Sequence, residues 1–319
     1  MRLRQRPRPL SAESPESRTG APCRPLGPYA AAMAEPSKAV LITGCSSGIG
    51  RATALRLARG GWTVYATARR PESIADLAGA GARTLALDVT DEDSMRAAVA
   101  VVEEAEGAVG VLVNNAGYSQ SGAVETVPLD SARAQFETNV FGLARLSQLV
   151  LPKMRAQRWG KIVNLSSMGG RLTFPGGGWY HATKYAVEAL SDALRFEVAG
   201  FGIDVIVIEP GLITTEFGEA AASAVAGVSS AVDEGPYTSF NAAVGALTKG
   251  AYEGPMRRLG GGPDRVAAVI ESAISTRRAP VRKTVTPSAK MMLGTRKLLT
   301  DRAWDAAMRR QFPQPGPVA

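Results

Sequence analysis

The sequence has 319 residues, 45% hydrophobic and 21% charged, enough apolar material for one large α/β domain or two small ones. No run approaches the roughly 18 apolar residues of a membrane helix, so no integral membrane segment is expected, and two cysteines, Cys23 and Cys45, exclude a disulfide framework and point to a reducing, cytoplasmic setting. The net charge of +8 is partly local, with Arg2, Arg4, Arg6, Arg8, Arg18 and Arg24 all in the first stretch, and no basic block interleaved with aromatics follows, so nucleic acid is not expected as a partner.

Residues 1–36 read as a disordered, basic, proline-rich tail without apolar period. It lacks the apolar core of a secretory signal; its arginines are compatible with a transit peptide, against which its prolines, Glu13 and Glu16 argue, and the blander reading is translation beginning at Met33. From Ala39 the pattern changes. "AVLITG" is predicted as a strand. "IGRATALRLARGG" follows as a helix, with Ile49, Ala52, Leu55, Leu57 and Ala58 near helical spacing and glycines closing it. "WTVYATAR" and "LALDV" read as strands, "DSMRAAVAVVEEAEG" as a helix and "GVLVNNAG" as a strand. One long helical region covers "SARAQFETNVFGLARLSQLVLPKMRAQ". Then come a strand at "GKIVNLSS", a helix at "YHATKYAVEALSDALRFEVAG" and a strand at "IDVIVIEPG". Strands alternating with helices predict right-handed βαβ units. The expected fold is α/β, a Rossmann-type, doubly wound parallel sheet with helices on both faces, in a single domain over residues 37–319.

"TGCSSGIG" places Gly44, Gly48 and Gly50 between the first strand and the first helix. Glycines there allow a tight turn and let backbone approach a pyrophosphate at the positive end of a helix. The spacing is G-x-x-x-G-x-G, and no Lys-Ser or Lys-Thr follows, which excludes a Walker loop.

The loop is followed in order by "NNAG", "NVFG", "VNLSS", "YHATK" and "EPGLITT". Over roughly residues 38–215 this set resembles the short-chain dehydrogenase/reductase family, in its shorter, non-extended subgroup. The resemblance implies an NADP(H)-dependent oxidoreductase acting on CH–OH groups, with Asn139, Ser167, Tyr180 and Lys184 as the catalytic set. It also implies that Gly44, Ser46, Ser47, Gly48, Ile49 and Gly50 cradle the cofactor, with Asp88 and Val89 at adenine. Asn115, Ala116 and Gly117 would line the adenosine side. Pro210, Gly211, Ile213 and Thr215 would meet the nicotinamide. Tyr180 and Lys184 would also contact the cofactor, the lysine through the nicotinamide ribose. No metal is expected.

The chemistry agrees with those residue types. Tyr180 and Lys184 stand i and i+4 on a predicted helix and share a face. Free tyrosine has a pKa of about 10, and a neighbouring ammonium favours its phenolate. Ser167, thirteen residues before Tyr180, matches the family's hydrogen-bond donor to the substrate oxygen. Asn139 matches the residue that holds a water beside the lysine. His181, the only histidine, lies about 100° around the helix from Tyr180 and is assigned local packing or surface. Trp179 is a candidate pocket wall.

NAD-specific relatives carry an acid at the end of the second strand. Here that place is Ala68, followed by Arg69, whose planar fork suits a 2′-phosphate, so NADP(H) is expected over NAD(H). Residues 216–262 are glycine-rich and small, and are expected to form a substrate lid. Residues 286–319 are expected to be a C-terminal extension ending in a short amphipathic helix. "KYAVEALSDALRFEV" is closer in flavour to hydroxysteroid and retinol dehydrogenases than to 3-oxoacyl-carrier-protein reductases. The expected substrate is therefore a hydrophobic secondary alcohol, ketone or aldehyde. A 3-oxoacyl thioester is the runner-up, and a non-catalytic NADP(H)-binding sensor is the alternative of another class. Apolar residues on more than one face of residues 139–157 and 180–199 predict a homodimer or homotetramer.

Overall fold

The computed structural model describes residues 35–214, 235–253 and 258–316. Nearly all of the predicted N-terminal tail, part of the predicted lid and Thr215 lie outside the described residues.

Among the described residues, seven strands form one parallel sheet: β1 (Val40–Ile42), β2 (Val64–Ala68), β3 (Arg83–Ala86), β4 (Val111–Asn114), β5 (Gly160–Leu165), β6 (Ile203–Glu209) and β7 (Arg282–Thr284). Their order is β3-β2-β1-β4-β5-β6-β7, so β1 pairs with β2 on one side and with β4 on the other. The chain winds outward in both directions from that junction. The carboxyl ends of β1 and β4 therefore open a crevice at the topological switch point.

The helices are α1 (Gly48–Arg59), α2 (Glu92–Glu106), α3 (Leu129–Phe136), α4 (Gly142–Ala156), α5 (Gly178–Val198), α6 (Thr238–Glu253), α7 (Pro263–Ser275), α8 (Pro287–Leu298) and α9 (Asp301–Arg309). Successive strand residues point to opposite faces, and both faces are buried, which is why the strands read as continuous apolar runs. Val40, Ile42, Val111, Val113, Val163 and Ile206 pack with Ala54 and Leu57 of α1 and with Val266 and Ile270 of α7. Leu41, Leu112, Ile162 and Val205 face the other way, onto Val99 and Val102 of α2 and Leu146, Val150 and Met154 of α4. Each fully buried side chain of this size contributes about 1.5–3 kcal/mol. No described helix is long and apolar enough to cross a membrane.

Three elements differ from the sequence reading. β3 covers Arg83–Ala86, so the predicted strand "LALDV" ends early and Leu87–Val89 form the loop at its carboxyl end. The long predicted helix is broken into α3 and α4 by a π turn at Glu137–Phe141. Such a turn inserts a residue into the helical ladder and re-aims the side chains on it, here Asn139. The described part of the predicted lid contains α6, and the strand β7 and helices α7 and α8 complete a C-terminal third that periodicity did not reveal.

Candidate active site

The crevice is floored by the loop after β1. Gly44 and Gly48 have φ of +71° and +57°, a left-handed conformation that favours glycine. Gly50 packs against the Gly44 carbonyl and the Asn115 amide so closely that a Cβ would overlap both. The N-terminus of α1 has no side-chain cap and no acid in its first turn, so its leading N–H groups are left to an anion. Cys45 is fully buried, its thiol donates to the Ile42 carbonyl at 3.4 Å, and burial pushes its pKa up to about 12. It is not available as a nucleophile.

Asn115 fastens this loop. Its Nδ2 donates to the carbonyls of Thr43 (2.9 Å) and Gly44 (3.0 Å). The N–H groups of Asn115 and Ala116 both donate to Thr43 Oγ1, at 3.0 and 2.9 Å. Beneath it, Asn114 Nδ2 donates to Asn164 Oδ1 (2.9 Å), and Asn164 Nδ2 to Ser191 Oγ (2.9 Å), tying β4, β5 and α5 together. Asn114 belongs to the NNAG motif singled out in the sequence, while Thr43 and Asn164 were given no role there. Their signal was a polar residue inside an apolar strand, where burial demands a partner.

The other half of the site stands on α5 and the end of β5. Lys184 is buried, and its Nζ donates to the Leu165 carbonyl at 2.7 Å. Burial pushes its pKa down to about 8, partly opposed by Glu188 one turn on. Lys184 Nζ lies 5.9 Å from the centroid of the Tyr180 ring, confirming that the two share a face. Ser167 Oγ accepts from the Gly169 N–H at 3.0 Å, and its hydroxyl proton remains to be donated elsewhere. Asn139 Nδ2 donates to the Tyr118 carbonyl (2.9 Å) and Thr183 Oγ1 (3.1 Å), while its Oδ1 accepts from the Tyr118 N–H (3.0 Å). A Cβ on Gly117 would stand 2.9 Å from Asn139 Oδ1 and 3.9 Å from Lys184 Nζ, so all three converge.

His181 is buried, and both ring nitrogens are engaged with backbone. Nδ1 lies 2.9 Å from the Gly169 carbonyl and Nε2 accepts from the Phe174 N–H at 3.1 Å. Those partners require the proton on Nδ1, and burial lowers its pKa. The ring thus clamps the loop carrying Ser167 onto α5. Trp179 does not line the cavity; its ring packs edge-on against Phe136, with centroids 6.5 Å apart.

One cavity of about 1450 Å³ joins these parts. That exceeds the roughly 300–1,000 Å³ of a site for one small ligand. Its wall includes Gly44, Ser46, Ser47, Gly48, Ile49, Arg69, Asp88, Val89, Asn115, Ala116, Gly117, Ser167, Tyr180, Lys184, Pro210, Gly211 and Ile213. Of the sequence-derived residues, Gly50 and Asn139 lie behind the wall and Thr215 lies outside the described residues. Asp88 has its Oδ1 engaged by the Thr90 N–H (2.9 Å) and hydroxyl (2.8 Å). Arg69 is exposed at the end of β2 and makes no ion pair among the described residues. Among the described residues no cluster of three His, Cys, Asp or Glu could hold a metal.

Residues 38–250 match the sequence profile of the family described as short chain dehydrogenase. The chain is 43% identical over 179 residues to a 3-ketodihydrosphingosine reductase of Bacteroides thetaiotaomicron, covering 56% of this chain and 65% of that protein. It superimposes on a short chain dehydrogenase/reductase of Burkholderia phymatum in complex with NAD (TM-score 0.69, 26% identity), covering 89% of this chain and 99% of the other. It also matches the closed form of a serine dehydrogenase complexed with NADP+ (TM-score 0.67, 25% identity), covering 78% and 94%.

Proposed function

The chain belongs to the short chain dehydrogenase family, and from that premise we propose that it is an NADP(H)-dependent oxidoreductase interconverting a hydrophobic secondary alcohol and its ketone, or an aldehyde. The observation that carries this reading is the convergence of Ser167, Tyr180 and Lys184 with the glycine loop in one cavity. The residues fit a dinucleotide: an uncapped helix N-terminus for the pyrophosphate, and a buried ammonium beside the tyrosine. When bound, the nicotinamide would supply or accept the hydride.

The chain's own residues would handle the proton. Ser167 orients the substrate oxygen through its free O–H. Tyr180 donates to the forming alkoxide during reduction and accepts in the reverse direction. Lys184, still mostly protonated at pH 7, stabilises the phenolate left behind. Asn139 holds the backbone of Tyr118 and places polar atoms beside Lys184, where a water could link the lysine to solvent. The wall beyond Tyr180, from α6, the Phe174–Gly177 loop and the C-terminal segment, supports an uncharged substrate. Those segments offer Phe174, Val244, Leu247, Met292 and Phe312 and no charged side chain among their described residues; Glu137 of the π turn lines the cavity elsewhere. The relative named as a reductase of a 3-keto compound supports a ketone. The test is a panel of carbonyls and alcohols assayed with both dinucleotides. NADPH binding without turnover of any member would overturn the reading.

Cofactor preference rests on Arg69. A charge-assisted contact from its guanidinium to a 2′-phosphate is worth about 1.5–3 kcal/mol, or about tenfold to somewhat over a hundredfold in affinity. Arg69→Ala is expected to weaken NADPH by that factor and leave NADH little changed, as read by fluorescence titration. Equal affinity of the unmodified protein for the two at physiological salt would refute this assignment.

The protein is also expected to self-associate through α4 and α5. Tyr185, Leu190 and Phe196 on α5 are exposed, Phe196 by 88%, and Phe141, the last residue of the π turn before α4, by 55%. Such residues on neighbouring helices mark an association surface. Light scattering should give at least twice the 33.4 kDa chain mass at micromolar concentration; the monomer mass would contradict it.

A further inference from the structure

The C-terminal extension reaches the reacting tyrosine through a row of rings. Tyr180 and His181 have centroids 5.7 Å apart, His181 and Phe174 5.9 Å, and Phe174 and Trp304 6.1 Å. Trp304 and Met308 of α9 are buried on Leu172, and the Trp304 indole N–H points to the Thr173 carbonyl at 3.4 Å. The chain then turns. The N–H groups of Gln311 and Phe312 both donate to the Met308 carbonyl at 2.9 Å. That turn sets Phe312 against two apolar clusters at once. One holds Leu172, Trp304 and Met308; the other holds Ala123, Phe240 and Val244. Phe312 also lines the cavity, so it joins the cavity wall made by α6 to the apolar cluster that α9 builds behind it.

The α6 side of this joint is backed by a closely packed loop. Gly176 has φ +80°, its carbonyl accepts from the Gly122 N–H at 2.8 Å, and a Cβ there would stand 2.5 Å from Val244. With Val244 backed by this loop, Phe312 is the side chain on the joint that can be shortened without disturbing the catalytic face.

We propose that Phe312 closes the far end of the substrate lobe and sets the length limit for the apolar chain of the substrate. This rests on the oxidoreductase reading above. The test is a homologous series of linear methyl ketones, followed both by turnover with NADPH and by calorimetric binding with and without NADPH. Each methylene taken into an apolar lobe is worth about fourfold in affinity. In the unmodified protein the rise should stop at a definite chain length. In Phe312→Ala and Phe312→Leu the stop should move to longer chains, by about two methylenes for alanine, and in Phe312→Trp to shorter ones. NADPH affinity should be unchanged in all three. A stop at the same length in every variant overturns the proposal, and so does a series in which no ketone binds. A stop that moves in binding while no ketone is turned over leaves the proposal standing and removes the oxidoreductase reading.

Discussion

Tyr180→Phe is expected to cut turnover by about 10²–10⁴, the usual loss on removing a positioned acid or base, while NADPH affinity stays within a few-fold. The substitution keeps the ring that packs edge-on to His181 and faces Lys184. What it removes is the O–H. Stopped assays on the best member of a carbonyl panel, with fluorescence titration of NADPH alongside, separate the two effects. A phenylalanine variant with most of the original activity would sink the assignment. His181→Ala supplies the contrast. Its ring nitrogens are committed to Gly169 and Phe174, so it has no proton to offer a substrate. Its loss orphans the buried Gly169 carbonyl, at about 1–3 kcal/mol, and the half-buried Phe174 N–H, at less. Thermal unfolding should fall by several degrees, with only a modest change in rate below the transition. A thousandfold rate loss in the folded variant would make His181 a participant.

Arg282→Met should cost about 3 kcal/mol or more of stability at pH 7, because it strips a shared cation from two buried carboxylates, Glu188 and Glu209, as well as from the exposed Asp192. Arg282 on β7 donates from Nε to Glu188 (2.8 Å) and from Nη2 to both oxygens of Asp192 (2.8 Å each), and its Nε lies 3.3 Å from Glu209. Glu209 has no exposed side-chain surface; Arg171, 3.3 Å away, and the Thr284 hydroxyl, 2.7 Å away, also face it. Glu188 is buried with Oε1 unpartnered, and burial raises its pKa above the ordinary 4.5 even with Arg282 present. The sign of the pH dependence follows. Between 4.5 and its raised folded value, native Glu188 holds a proton that the unfolded chain has released, so stability falls as pH rises through that window. Without Arg282 the folded value moves higher and the penalty grows. The deficit of Arg282→Met should therefore be larger at pH 7 than at pH 5 in urea midpoints. A variant as stable as the parent at pH 7, or a deficit indifferent to pH, would contradict this. Glu188 sits one turn beyond Lys184 on α5, so the same network also seats the helix that carries the tyrosine and lysine.

The amino-acid sequence alone determined the features whose physics is short-ranged. The left-handed turns at Gly44 and Gly48 need glycine, and a glycine loop between an apolar strand and a helix announces them. Tyr180 and Lys184 meet because four residues bring a helix back to the same face. Alternating strand and helix periods were enough for a parallel sheet with two covered faces, since a strand buried on both sides must read as an unbroken apolar run. The tertiary structure decided whatever depends on residues far apart in the chain. Asn115 lies beside Gly44 only because β1 and β4 are neighbours at the switch point. His181 looked like packing or surface, and proved a buried clamp once the Gly169–Phe174 loop folded over it. Nothing in the spacing placed the π turn that aims Asn139, because a single inserted residue leaves the helical pattern of "FETNVFG" nearly intact. The apolar wall of the cavity was the least legible part. Phe174, Val244 and Phe312 lie in three separate stretches, each of ordinary apolar character. Apolar attraction has no direction, so only the closed fold shows which of them share a cavity.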